Sequence, residues 1–485
     1  MISRASLPSL EPFLPFFLAG EWVEAGGRAI RDVIDPATEQ VITTVADATP
    51  ADVDHAVAAA LEAHRSRVWS GMDPLERTRI MNRVAELIER DLEELAILET
   101  RDQGKPIERS RADTQSAANT FRHFAGATTR LGGTVVPIDG GSHHAYTVKE
   151  PVGPVAAILP WNFPVMTAAY KLGPALAAGC PVIVKPAEDT PLTALRLAAL
   201  MAEAGIPTGV VSVITGDHVA GATLSTHPDI AKVTFTGSTE VGAHILHASV
   251  PGFKRVTLEL GGKSPNIIFA DADLDLATVT AMRATFGHSG QMCTAGSRIL
   301  VQRSVLGEMT ERLAEAAAKV PVGDGLAGGI SVGPMVSEEQ RQRVLGYIES
   351  GKSQGAQLVT GGGISGPGYY LEPTLFTGVT NDMVIAREEI FGPVAGIIPF
   401  DDEAEALRIA NDTTFGLAAG VWTTDLARAH RMAQGISAGT VWVNTYNIFH
   451  PALSFGGVRD SGLGRDLGEA GLDGFLETKS IVMAV

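Results

Sequence analysis

From residue 153 onward the chain alternates short unbroken apolar runs with helix-length amphipathic segments. Apolar runs at 155–159, 181–184, 210–214, 231–235 and 255–260 are separated by helical patterns at 167–178, 192–204, 219–225 and 240–249. Unalternated Val/Ile runs are what strands buried on both faces require, so the pattern predicts a parallel sheet built from βαβ units. A second alternating block spans 266–444, with strands expected at 266–269, 297–301, 394–400, 418–422 and 440–443. Upstream, strand-like runs at 21–23 and 41–45 precede a helical pattern over 73–100. Ile80, Met81, Val84, Leu87, Ile88, Leu92 and Leu95 carry that pattern, and Gly104 and Pro106 end it. Two stretches fit neither block. Residues 132–152 alternate around Asp139-Gly140-Gly141 as a hairpin does, and 478–485 reads as a strand.

Length and charge narrow the functional classes. The 485 residues allow two to four domains at roughly 100–200 residues each. Lys and Arg number 38 against 55 Asp and Glu, a net charge of −17, which argues against nucleic acid or a polybasic membrane surface. An acidic chain can still hold a dinucleotide, because that takes only a local set of backbone N–H groups. Two cysteines, Cys180 and Cys293, exclude a disulfide framework and a Cys-rich zinc site, and fit a reducing compartment. The apolar patch at 12–19 is too short to span a membrane and makes a poor signal peptide, so the expected location is cytoplasmic.

Ligand-type residues recur where the first set of strands should end, the edge at which α/β sheets place ligands. Asn162 stands in Pro160-Trp161-Asn162-Phe163-Pro164, an amide donor in a backbone stiffened by two prolines, as an oxyanion site or a structural turn would have. Lys185-Pro-Ala-Glu188 follows the next strand. Thr236-Gly237-Ser238-Thr239 opens a helix whose N–H groups could meet a phosphate. Glu259 precedes Gly261-Gly262-Lys263, and its spacing fits equally a general base or a salt-bridge partner of Lys263. Cys180 lies against a strand start, as a buried hydrophobe would, whereas Cys293 is flanked by Gly, Ser and Thr in open backbone suited to a reactive thiol. The G-x-G-x-x-G string at Gly361 to Gly366 is followed by Pro367 rather than a helix and reads as a surface turn. His244 and His247 lack a third ligand nearby, so no metal is expected.

Taken together, these motifs resemble the NAD(P)-dependent aldehyde dehydrogenases of the non-acylating type over essentially the whole chain. The most specific pieces are Pro160–Pro164, Lys185–Glu188, Phe235–Thr239, Glu259–Pro265, Gly290-Gln-Met-Cys293, Glu388–Pro393, Phe455-Gly-Gly457 and Ser461–Arg465. The resemblance implies two Rossmann-like parallel-sheet domains, one binding the cofactor and one catalytic, plus a small β element for oligomerisation. It places the cofactor domain at 1–131 and 153–260, the catalytic domain at 261–465, and the oligomerisation element at 132–152 and 466–485. It implies Cys293 as nucleophile, Asn162 as oxyanion donor and Glu259 as general base. Lys185 and Glu188 match the adenosine-ribose pair, Trp161, Gly237 and Ser238 the pyrophosphate contacts, and Glu389 and Phe391 the nicotinamide-ribose carboxylate and its neighbouring ring. Lys263 matches a pocket-region position. The flexible Gly261 and Gly262 would let Glu259 swing. Two departures stand out: Ser454 where Pro is usual, and Asp466 where Glu is usual, which puts any proton-relay role there in doubt.

The expected reaction is oxidation of an aldehyde to its acid with NAD, NADP being the lesser partner because Glu188 would repel a 2′-phosphate. By the same resemblance the pocket is Phe163, Met166, Tyr170, Met292, Thr294, Tyr446, Phe449 and Phe455. That set holds no Arg or Lys, which predicts hydrophobic medium-chain or aromatic aldehydes over a semialdehyde bearing a second carboxylate. Aromatic walls keep an aminoaldehyde or betaine aldehyde as the alternative. A cysteine hydrolase pairing Cys293 with His288 or His450 is the rival outside the class. Open strand edges at 132–152 and 478–485 predict a homodimer or homotetramer.

Overall fold

The structure is a computed structural model and describes residues 2, 4, 7, 10–364 and 366–485. Two large sheets dominate it. In the first, five parallel strands run in the order Arg255–Glu259, Lys232–Thr236, Val155–Ile158, Val182–Lys185 and Val211–Val213. Antiparallel strands extend it at both edges: Gly462–Leu463 on one side, Phe16–Leu18 and then Glu21–Val23 on the other. The unalternated runs have the expected cause, since every residue of Val155–Ile158 and Val182–Lys185 is buried between helix layers. The second sheet orders Gln357–Thr360, Thr374–Thr377, Val394–Phe400, Arg298–Gln302, Pro265–Ile268, Ala418–Trp422 and Thr440–Val443, all parallel except the first.

The hairpin and the C-terminal strand pair with each other. His143–Pro151 lies antiparallel to Leu476–Ala484 along nine residue pairs, with Val135–Val136 on its other edge. The long helical pattern at 73–100 is instead two helices, Pro74–Arg90 and Leu92–Gln103. They meet at Asp91, whose φ of −102° and ψ of 19° leave the helical region. Arg90 and Arg196 both donate to its carboxylate, so polar pairing fixes a break that apolar periodicity conceals.

Three features of the packing position the site. Helix Pro164–Ala178 is buried along its entire length and ends on Gly179 in the left-handed region, φ 95°. Trp69, fully buried, donates its indole N–H to the Leu176 carbonyl at 2.9 Å and anchors that helix. Cys180 is wholly buried and its thiol is pushed up to about 12 by burial. The connection from Glu259 into Pro265–Ile268 passes between the two sheets and carries Lys263 into the interior. Its Nζ has no hydrogen-bond partner, and burial, reinforced by Arg298, pushes it down to about 7.

Two outcomes follow. Trp69→Ala should cost about 3–5 kcal/mol, measured by denaturant or thermal unfolding, through the cavity left and the orphaned carbonyl. Lys263→Met should remove a pH dependence. Below about pH 7 folded and unfolded chains both carry the proton, and burial penalises the folded one. Between about 7 and the ordinary 10.5 only the unfolded chain keeps it, so stability rises with pH. The melting temperature of the wild type should therefore gain on that of Lys263→Met as pH rises from about 7 to about 10. Parallel curves would contradict an unpaired buried amine.

Candidate active site

The parallel register brings the ligand-type residues to one edge. Ile158 pairs with Lys185 and Thr236 with Glu259, so the Pro160–Pro164 turn, the Lys185–Glu188 turn and the Gly237-Ser238 turn open on the same side as Glu259. The second sheet faces that edge and adds the 290–294 and 389–391 segments. Between them lies a cavity of about 670 Å³ that Cys293, Glu259 and Asn162 all line.

Close backbone approach sets the geometry at the thiol. Gly290 has φ 67°, and a Cβ there would fall 2.1 Å from the Gly392 carbonyl oxygen, so only glycine fits before Gln291-Met292-Cys293. A Cβ on Gly262 would stand 2.4 Å from the Cys293 carbonyl oxygen, and one on Gly261 2.4 Å from Glu389 Oε2. These two glycines therefore serve close approach in this structure, where the sequence suggests freedom for a swing. Asn162 donates from Nδ2 to the Gln291 carbonyl at 2.9 Å, which ties the turn to the cysteine loop and leaves the second amide N–H uncommitted. His288 Nε2 lies 2.8 Å from the Asn162 carbonyl oxygen, and its ring packs on Phe163 at 4.8 Å.

Electrostatics favour protonated acids here. Glu259 is 3% exposed and neither carboxylate oxygen has a hydrogen-bond partner. Burial, with Asp466 adding to it, holds its carboxyl well above the usual range. Burial likewise pushes the Cys293 thiol up, with Glu389 and then Glu259 contributing. Glu389 accepts from the Gly262 N–H at 2.9 Å, yet burial still pushes it up to about 7. Asp466 lines the cavity and pairs with Lys171 at 3.2 Å.

Two halves flank the thiol. On one, Trp161 packs edge-on against Phe391 at 5.1 Å, and Lys185 pairs with Glu188 at 2.7 Å. Gly237 must lack a side chain, since a Cβ would fall 2.4 Å from the Phe235 ring. Ser238 caps helix Thr239–Ser249 by accepting from the Val241 N–H. On the other half stand Phe163, Met166, Tyr170, Met292, Thr294, Phe449 and Phe455, the last two edge to face at 5.3 Å. Thr294 donates its hydroxyl to Asn447 Oδ1 at 2.8 Å.

Two expected pocket positions lie elsewhere. Tyr446 stands behind the cysteine loop, its hydroxyl donating to the Thr294 carbonyl at 2.9 Å, and Lys263 is interior. The expectation of a pocket without a basic residue is corrected: Arg109, from helix Ile107–Ala125, lines the same half as Phe163. Sequence reasoning also missed Ala222, Val241 and Ile245, which form a slot between helices His218–Thr226 and Thr239–Ser249, and Gln340 and Arg343 near Glu389. The slot was within reach, because both helices follow strands of the first sheet. Arg109 had no local signal. The 361–366 string lies apart from the cavity, and its Ser365 is outside the described residues. Among the described residues no His, Cys, Asp and Glu cluster could hold a metal, and no helix is long and apolar enough to cross a membrane.

The slot, the helix N-terminus and a carboxylate at either end suit a dinucleotide. Known proteins share this chain's sequence and fold. The Aldehyde dehydrogenase family profile matches residues 22–481. A putative aldehyde dehydrogenase, DhaS, of Bacillus subtilis is 44% identical over 479 residues, covering 97% of each chain. Betaine aldehyde dehydrogenase 1 of Rhizobium meliloti is 45% identical over 481 residues, covering 98% of each. The NAD+ complex of aldehyde dehydrogenase from Bacillus cereus superposes with a TM-score of 0.97 at 43% identity, covering 100% of this chain and 99% of that one. Betaine aldehyde dehydrogenase from Staphylococcus aureus in complex with NAD+ gives 0.96 at 38%, covering 97% and 94%. By profile, by identity along almost the whole chain and by fold, this protein belongs to the aldehyde dehydrogenase family.

Proposed function

We propose that the protein oxidises an aldehyde to its carboxylic acid with NAD, using Cys293 as nucleophile, Asn162 as oxyanion donor and Glu259 as general base. The observation that carries this reading is the single cavity on which thiol, unpaired carboxylate and uncommitted amide N–H converge. The residues present fit a dinucleotide. Helix Thr239–Ser249 offers its N-terminal N–H groups to the pyrophosphate, Glu188 and Glu389 would take the two riboses, and the slot would take the adenine. NAD when bound supplies the hydride acceptor. The Cys293 thiol gives its proton to solvent as the sulfur attacks the aldehyde carbon, and Asn162 with the Cys293 N–H would hold the oxyanion. Loss of hydride from that carbon leaves a thioester. Glu259, its own proton given up to solvent, takes a proton from water. The water oxygen attacks the acyl carbon, and the C–S bond breaks to release the acid and free the Cys293 sulfur. His288 does not support the hydrolase rival, since its Nε2 faces the Asn162 carbonyl. His450 Nδ1 accepts from the Ala452 N–H.

For the substrate we propose a hydrophobic aldehyde, medium-chain or aromatic, because the reacting half is walled by Phe163, Met166, Tyr170, Phe449 and Phe455. The relatives named betaine aldehyde dehydrogenase support a second reading at least as strongly, a trimethylammonium group held against the ring faces. We also propose a homodimer or a tetramer of dimers. Leu476–Ala484 leaves one strand edge open, and Val482, Met483 and Val485 are exposed along it, as Val135 is at the opposite edge of the same sheet.

An aldehyde panel with NAD and NADP, followed by reduced-cofactor absorbance, tests the chemistry. Turnover should require Cys293, favour NAD, and in Glu259→Gln show a burst of reduced cofactor ahead of a steady rate lowered by about 100-fold or more. Full steady activity in Glu259→Gln would remove it from the base role. Light scattering at micromolar concentration should return a multiple of 50.8 kDa, and the monomer mass itself would refute the assembly.

A further inference from the structure

We propose that Arg109 is a specificity-determining residue that binds a carboxylate at the far end of the substrate. The preferred aldehyde is then an ω-oxo acid or a carboxylated aromatic aldehyde, with an apolar middle. This inference rests on the aldehyde dehydrogenase reading above; it keeps the apolar walls and departs from that reading in placing a carboxylate at the far end of the substrate.

Arg109 is the cation on the reacting half of the cavity, beside Phe163, Met166 and Tyr170. Its side chain is 34% exposed, while its ion-pair partner Asp113, 3.0 Å from Nε, is 2% exposed. Asp113 holds Nε by charge without a formed hydrogen bond, and Arg109 lines the cavity with its side chain part-exposed. The guanidinium carbon stands 5.2 Å from the centroid of the Phe163 ring, a cation–ring contact that Phe163 also makes with Lys105 Nζ at 4.7 Å. Among the described residues nothing accepts a hydrogen bond from its two terminal nitrogens. A planar fork held by an ion pair and a ring, with its terminal donors free, matches a carboxylate in two parallel hydrogen bonds.

The other charges nearby do not satisfy it. Asp113 is shared with Lys105 at 3.0 Å, and Lys105 also pairs with Glu99 at 2.5 Å, so that cluster is closed on itself. Asp466 is paired with Lys171, Glu259 favours its neutral form, and Glu188 and Glu389 lie on the dinucleotide half. A quaternary ammonium in this half would meet Arg109 with like charge, and an uncharged chain would leave its donors to water. A carboxylate uses them.

The test compares kcat/KM for ω-oxo acids of increasing length with n-alkanals of the same length, and for 4-carboxybenzaldehyde with benzaldehyde. Wild type, Arg109→Gln and Arg109→Lys are measured at low and high salt. At one chain length or more the carboxylate should raise kcat/KM by about tenfold, through KM rather than kcat. That ratio should fall toward one in Arg109→Gln, recover in part in Arg109→Lys, and shrink with salt. Alkanals oxidised with no gain from a carboxylate at any length, or a gain that survives Arg109→Gln, would overturn this inference alone. A lead for betaine aldehyde over every alkanal would overturn the hydrophobic reading and this one with it.

Discussion

Parallel pairing in register is the constraint from which the site follows. Because Ile158 lies opposite Lys185 and Thr236 opposite Glu259, every residue that follows these strands is delivered to one edge within a few ångströms of strand spacing. Burial of the strands on both faces fixes that register, since a one-residue slip would carry Lys185 or Glu259 into a helix layer. The second sheet then needs only to face this edge. The cysteine loop is then placed by backbone contact at Gly262 and Gly290, where a methyl group would overlap the Cys293 or the Gly392 carbonyl oxygen. The position of Cys293 is thus set by main chain against main chain, which is stiffer than any side-chain contact.

Much of this was legible in the chain. Unbroken apolar runs marked the strands of both sheets, and glycines, prolines and charged residues after them marked the site edge. What escaped the sequence has physical reasons. The break at Asp91 is made by arginines, one adjacent and one more than a hundred residues away, so periodicity runs through it unchanged. Arg109 reaches the cavity because helix Ile107–Ala125 packs on helix Pro164–Ala178, a contact between segments with no shared motif. Tyr446 and Lys263 carry pocket-type chemistry in pocket-type strings, yet each turns away by one layer. A linear pattern does not say which face of a loop looks inward.

The same burial that places the reacting groups also restrains them. Cys293, Glu259 and Glu389 all favour their protonated forms, chiefly through desolvation; Asp466 adds to this at Glu259, and Glu389 and then Glu259 add to it at Cys293. Ionising the thiol beside two carboxylates is costly while both carboxyls are charged, and least costly while they hold their protons. Each charge on a carboxyl therefore adds to the cost of ionising the thiol. In the proposed reaction an aldehyde carbon would relieve that restraint, because the charge would leave sulfur for an oxygen that Asn162 is placed to meet. In that proposed sequence no charge would remain on the acyl group after hydride loss, and Glu259 could then lose its proton to solvent and take one from water. Glu259 suits this role because its two oxygens have no hydrogen-bond partner to lose.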